Sequence, residues 1–451
     1  MATTLDTIIQ TVLKLDNKLD LDSEEREIYQ QTRFWLFRHI QHETDKSVSH
    51  RNESLKGSIM DIFYLIIALA QIIKGKLTQK PVVLISEHAR LEGVQWKAGD
   101  PYFGVTEKEL NRLGYSVITI GMVLGKKKYE NELSGVIRIP RSIINGFRLF
   151  FRLINGNQPA LIKKVIAKLK SIDSKIEINA NSYANKVRQT RADNAFYKLL
   201  IAFIKPKLVI CVDGYNSNSS LLRAAHIDSI LSVEYQHGVV SQGHIGYTFG
   251  NKFEACERLL PTKYLLWGEV WKSELKNPII TSRIEVGTYE YGQWCLKSSK
   301  EIDKPEGVLF ILQPSIMSSL TEKIREFVKK YPECKVGVKY HPKQNKIIEN
   351  LAQVEHYLNS DLYELFMQYK YIVGCFSTAL FEAAALNRLV FNIPLKEFQS
   401  YNNIMASAGI LPIESFEQIF VKRTAKISGE DIISQKTNTD CLIELMNGSS
   451  H

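Results

Sequence analysis

Short β-branched runs alternate with stretches of helical spacing along most of this chain, which confines it to βαβ units around parallel sheets. The runs "KPVVLIS" (80–86), "YSVITIG" (115–121), "PKLVICVD" (206–213) and "SILSVEY" (229–235) each end in a polar or glycine-containing turn. Helical patterns fall between them at 141–155, 159–172 and 218–226. "KYLLWG" (263–268) and "RIEVGTY" (283–289) then bridge into a second set. That set is "GVLFILQ" (307–313), "KVGVKY" (335–340), "YIVGCF" (371–376) and "RLVFNI" (388–393), with helices expected at 318–330, 361–369 and 378–386. At 451 residues the chain exceeds one ordinary core. We therefore expect an α/β protein of two Rossmann-like domains, 79–265 and 266–447, facing each other across a cleft. A helical extension is expected over 1–78, where apolar residues recur every three or four positions. The polar stretch "SSKEIDKP" (298–305) reads as a linker, and 448–451 as the remnant of a tag.

Hydrophobic residues make up 45% of the chain and charged residues 24%, the balance of a folded protein rather than a disordered one. The formal charge of +10 suits an anionic partner. A nucleic-acid-binding protein would account for that charge, but no basic run is interleaved with aromatics and no binding motif appears. Six dispersed cysteines (Cys211, Cys256, Cys295, Cys334, Cys375, Cys441) with no CxxC disfavour a zinc site or a disulfide framework and suit a reducing cytoplasm. "MATTLDTIIQ" lacks the features of a signal peptide. The apolar run "SIMDIFYLIIALAQII" (58–73) is interrupted by Asp61 and Gln71. It is shorter than the roughly 20 residues that span a bilayer, so it reads as a buried core helix or one lying on a membrane surface.

Ligands of open parallel sheets bind beyond the carboxyl ends of the strands, so the residues after each run are the candidates. Asp213 ends the run at 206–213, and Gly214 after it can take the positive φ of a tight turn. Asp213 is either an Asx turn capping the helix near Ser219 or a carboxylate able to take a proton from a sugar hydroxyl. Gln236 and His237 emerge after 229–235, Gly238 allows close backbone approach, and His244 sits between Gly243 and Gly246. A metal pair is disfavoured there, because no nearby Cys or Asp completes a ligand set. His341 follows 335–340, with Pro342 to fix the turn and Lys343 to add charge. Ser377 and Thr378 open a helix, where hydroxyls and N–H groups form an anion site; a plain N-cap is the other reading of Ser377. Glu382, in the same helix, is a solvated residue or a partner for a ribose diol. Gln313, at the end of 307–313, joins this donor-side set. The segment 86–104 carries Glu87, His88, Arg90, Trp96 and Tyr102 and is an acceptor platform, shared with His244, or a structural loop.

"KYHPK" followed by "SDLYELFMQYKYIVGCFSTALFEAAAL" resembles the donor half of GT-B glycosyltransferases. The His-Pro and Ser-Thr pairs together resemble bacterial sialyltransferases and Kdo transferases, which hold the phosphate of a CMP-linked acidic sugar with such residues. "VDG" is similar to their Asp-Gly base motif through Asp213 and Gly214, with Val212 where the family carries a first acidic residue. "QHG" and "HP" are also similar to polyol-phosphate transferases of teichoic acid and capsule synthesis, matched at His237, Gly238, His341 and Pro342. In those the His-Gly histidine is taken as the base. The matching motifs lie between residues 200 and 395.

The resemblance implies a GT-B glycosyltransferase working without metal or cofactor. It would move a sugar, a CMP-linked acidic sugar first, from a nucleotide-sugar donor to a lipid-linked acceptor or a surface polysaccharide such as capsule or lipopolysaccharide. Asp213 or His237 would deprotonate the acceptor; His341, Lys343 and the helix behind Ser377 would stabilise the leaving phosphate. A CDP-dependent polyol-phosphate transferase, a UDP- or GDP-hexose transferase and a UDP-sugar epimerase are the alternatives. The expected location is the cytoplasm, with peripheral contact at the inner face of the membrane.

Overall fold

The computed structural model describes residues 5–44, 81–86, 100–121, 136–140, 142–151, 159–174, 176, 178–216, 218–298, 304–341, 348, 353–358, 360–421 and 427–448. Two parallel sheets organise them. The first contains β1 (Val82–Ser86), β2 (Ser116–Gly121), β3 (Val136–Pro140), β4 (Leu208–Cys211), β5 (Leu231–Tyr235), β6 (Lys263–Leu266) and β7 (Ile284–Val286), in the order β3-β2-β1-β4-β5-β6-β7. The second contains β8 (Val308–Ile311), β9 (Val336–Lys339), β10 (Val354–Tyr357), β11 (Tyr371–Gly374), β12 (Leu389–Asn392) and β13 (Leu411–Pro412), in the order β10-β9-β8-β11-β12-β13. Strands β1, β4, β8 and β9 are buried along their whole length. Helices cover both faces of such sheets, which is why these strands read as continuous apolar runs. In each sheet the strand order turns back beside its first strand, and a crevice opens there at the carboxyl ends.

Helices α1 (Leu5–Lys18) and α2 (Ser23–Thr44) form the expected N-terminal extension. They pack on α3 (Pro159–Ile172) and α4 (Ala180–Ile204) through Ile8, Val12, Tyr29, Leu36, Val165 and Tyr183. Burying these side chains makes the extension an integral layer of the first half. Three further helices bear on function: α5 (Ser219–Ile227), α6 (Thr378–Ala385) and α7 (Asn438–Gly448).

The domain border expected at 265/266 cuts the first sheet. β6 pairs with β5 at Val233↔Lys263 and β7 pairs with β6 at Tyr264↔Ile284, so both strands belong to the first half. The chain leaves after β7 and returns with α7, whose Cys441 and Leu442 pack against Val83, Ile85 and Val233. An apolar core also joins the two halves, with Trp271 4.6 Å from Phe381, ring to ring. Strands β3, β10 and β13 and the 25-residue helix α4 were not read from the pattern. The apolar run 58–73 and the residues Glu87, His88, Arg90, Trp96 and Lys343 lie outside the described residues. Among the described residues no helix is long and apolar enough to cross a membrane.

Candidate functional site in the interdomain cleft

A cavity of about 230 Å³ opens between the halves. Its first wall is the loop after β5, with His237, Gly238, Val239, His244 and Tyr247; its second wall carries Gln313, Phe376, Thr378 and Tyr401. The site is thus built from strand ends on both sides, and it gathers five of the residues singled out above: His237, Gly238, His244, Gln313 and Thr378.

The backbone at His237 is pinned from three directions. Gln236 accepts the Trp267 N–H on its side-chain oxygen and the Trp267 indole N–H on its carbonyl, both at 2.9 Å. The Gln236 amide donates to the Gly238 carbonyl at 2.9 Å, and the Tyr102 hydroxyl donates to the His237 carbonyl at 3.0 Å. His244 packs against Phe34, Tyr215 and Tyr247. Burial, with nearby His237 second, pushes its imidazole down to about 4. Its Nδ1 accepts the Gly246 N–H at 3.1 Å. A neutral ring accepting at Nδ1 carries its proton on Nε2, so His244 offers the site a hydrogen-bond donor rather than a base.

Asp213 does not line this cavity. It is buried, and its carboxylate accepts from the Asn216 amide at 3.1 Å. The positive φ expected of Gly214 belongs instead to Asp213, at 58°. Gly214 is needed for space: a Cβ there would lie 2.3 Å from Glu234 Oε2. Asp213 is also not the cap of α5. The preceding residue of that helix is Asn218, whose amide donates to the Val212 carbonyl at 2.6 Å.

On the second wall, Ser377 is the N-cap of α6, its hydroxyl accepting the Ala379 N–H at 3.3 Å. Thr378 follows at the positive end of the helix and faces the cavity. Phe376 holds the turn before it at φ 41°, its ring stacked on Phe398 at 3.9 Å. Glu382 is not on a solvated face. It is 9% exposed and accepts from the Tyr289 hydroxyl at 2.5 Å, because its side of α6 is turned onto the first half. Burial raises its carboxyl to about 7 against the opposing effect of Tyr289. His341 follows β9 as expected, half-buried and outside the cavity lining.

Sequence reasoning missed Tyr247, Phe376, Tyr401 and Glu234. Tyr247 falls three residues after His244 in the same glycine-bracketed loop, and Phe376 directly precedes Ser377, so the neighbourhood of the motifs was their only signal. Among the described residues, no group of three or more His, Cys, Asp or Glu is placed to hold a metal ion.

No family model matches the chain, and no curated protein matches it. Solved structures do. The UDP-GlcNAc 2-epimerase of Methanocaldococcus jannaschii in complex with UDP-GlcNAc and UDP superimposes with a TM-score of 0.50 at 10% identity, over 81% of this chain and 99% of that one. The UDP-GlcNAc 2-epimerase of Neisseria meningitidis gives 0.47 at 12% identity over 81% and 100%. The glycosyltransferase SnogD of Streptomyces nogalater gives 0.42 at 10% over 82% and 99%. The two-domain α/β architecture described above is therefore the GT-B fold, with an N-terminal helical extension.

Proposed function

We propose that the protein is a nucleotide-sugar enzyme that transfers a sugar to an acceptor hydroxyl of a surface polysaccharide or a lipid-linked glycan. The observation carrying this reading is the shared cavity, with His237 on one wall and Thr378, at the positive end of α6, on the other. Donor phosphate sits at the Thr378 hydroxyl and the helix end, within reach of Gln313. His237 takes the proton from the acceptor hydroxyl as that oxygen bonds to the anomeric carbon. The bond from this carbon to the phosphate oxygen breaks, and its electron pair leaves on the nucleotide, stabilised by the helix end. His244 donates from Nε2 and orients the acceptor or the sugar. The +10 charge suits work beside an anionic membrane, where lipid-linked acceptors lie.

The test is a thermal-shift panel of CMP, CDP, UDP and GDP on the wild type and on Thr378→Ala. A ligand of the native state raises Tm with its saturation. A shift by one nucleotide that disappears in Thr378→Ala supports the reading; CMP would favour an acidic-sugar donor, and UDP or GDP a hexose. A panel without any shift overturns it. A second reading, epimerisation of a UDP-sugar, is supported by the likeness to the Methanocaldococcus jannaschii epimerase. Incubation with UDP-GlcNAc and no acceptor separates the two, since inversion at C2 belongs to the epimerase alone.

A further inference from the structure

The two halves meet through two sets of contacts of different character. One is an apolar core in which Trp267 and Trp271 pack with Leu380 and Phe381, all nearly inaccessible to water. The other is a polar seam made by α1. This helix packs on the first half, yet Asp6 Oδ2 accepts the Gln399 N–H at 3.1 Å, in the segment that carries Tyr401 into the cavity. Beside it Gly243 approaches so closely that a Cβ would lie 2.5 Å from Ser400 Oγ and 3.6 Å from Ile9 Cδ1. Asp6 Oδ1, Ser241 Oγ and Ser400 Oγ are buried with no hydrogen-bond partner among the described residues. Each such atom costs about 1–3 kcal/mol, so this seam gains far less by closing than the apolar core does.

The same helical pair holds the opposite wall. Arg33 donates to the carbonyls of Thr248, at 2.7 Å, and Ile245. Asp16, paired with Arg33 at 2.6 Å, accepts the Gly250 N–H at 2.9 Å. One element of two helices therefore grips the loop bearing His244 with one end and the segment bearing Tyr401 with the other.

We infer that α1 and α2 form a latch that sets the separation of the cavity walls, with Asp6 and Arg33 as positioning residues. The halves hinge at the Trp271–Phe381 core and part at the α1 seam, which is where ligand enters. Only the identity of that ligand rests on the proposed function; the latch is tested without it.

Small-angle scattering and hydrogen–deuterium exchange on the full, ligand-free chain compare the wild type with Asp6→Ala and Asp6→Asn. Alanine removes the acceptor for Gln399, and asparagine keeps one. The inference expects Asp6→Ala to raise the radius of gyration and to speed exchange across 396–401 about threefold to tenfold, the size of one solvent-exposed hydrogen bond. Exchange of β11 should stay unchanged, and Asp6→Asn should restore wild-type behaviour. A scattering curve that superimposes on the wild type overturns the latch. So does an Asp6→Asn variant that behaves as Asp6→Ala, or faster exchange spread evenly over both sheets. Adding UDP afterwards keeps the two ideas apart: absence of any response to UDP counts against the nucleotide reading and leaves the latch result standing.

Discussion

The hydroxyl of Tyr247, on the cavity wall, donates to Oε1 of Glu234 at 2.8 Å, while Glu234 Oε2 occupies the space that a side chain at Gly214 would need. One buried carboxyl thus ties strand β5, the Asp213 turn and the cavity wall together. Burial raises it from its ordinary 4.5 to about 8, against the lowering effect of Tyr247 and the Gly214 N–H. Near neutrality it is mostly the uncharged acid.

That shift makes Glu234 a pH-dependent contributor to stability. Its folded pKa lies above its unfolded one, so its contribution is complete below about pH 4.5 and is lost as pH rises through about 8. Glu234→Gln keeps an acceptor for Tyr247 and removes the titration. The fall of Tm between pH 5 and pH 8 should therefore be shallower in Glu234→Gln than in the wild type. Glu234→Ala, which strands the Tyr247 hydroxyl, should lose about 1–3 kcal/mol at low pH and less as pH rises through about 8. Equal slopes in the wild type and Glu234→Gln would show that this carboxyl is already ionised.

The Asp16–Arg33 pair is as buried as any residue in the core, with side chains 0% and 2% exposed. Removing one partner leaves an uncompensated charge, which costs about 3–5 kcal/mol. Arg33→Met and Asp16→Asn should each show a loss of that order in urea unfolding. The double variant Asp16→Asn/Arg33→Met should lose markedly less than their sum, because no isolated charge remains. Strict additivity would mean that the two side chains do not interact.

Much of this fold was legible because parallel strands buried on both faces leave unbroken apolar runs, as at 208–211 and 336–339. Strand β10, "VEHY", is partly exposed and polar, and β13 is two residues long, so neither left such a run. The domain border was misplaced because β6 and β7 look like any other strand; only their hydrogen-bonded register assigns them to the first sheet. At the site, His237, His244 and Thr378 were legible from glycine-bracketed and strand-end placement. Glu234 was not, since inside "SVEY" it reads as an ordinary member of a strand, and its role comes from Tyr247 thirteen residues on and from the turn of the neighbouring strand.

A hydrogen bond between Tyr289 and Glu382 joins the halves. The Tyr289 hydroxyl lowers a carboxyl that burial alone would push higher than about 7. Tyr289→Phe should raise the Glu382 pKa further and cost about 1–3 kcal/mol. The sign follows from linkage: with the folded pKa above the unfolded one, stability falls as pH rises through about 7. The penalty of Tyr289→Phe should accordingly be larger at pH 8, where the ionised carboxylate has lost its donor, than at pH 5. A penalty independent of pH would indicate lost packing alone.

His237 and Asp213 are separable as candidates for the base because the Asp213 backbone, at φ 58°, makes its own demand. Asn tolerates this left-handed conformation, whereas Ala loses about 1–2 kcal/mol there. Asp213→Asn should therefore fold with a Tm close to the wild type, and Asp213→Ala should not. Asp213→Asn is thus the variant whose rate reports on chemistry rather than on folding. With whichever nucleotide-sugar stabilises the protein, His237→Ala should lower kcat by about 10²–10⁴, the usual share of a general base. Asp213→Asn should keep most of the wild-type rate, since its carboxylate lies outside the cavity and is already engaged by Asn216. A large loss in Asp213→Asn together with an active His237→Ala would move the base to Asp213, and would require the 213–216 turn to swing into the cleft when substrate binds.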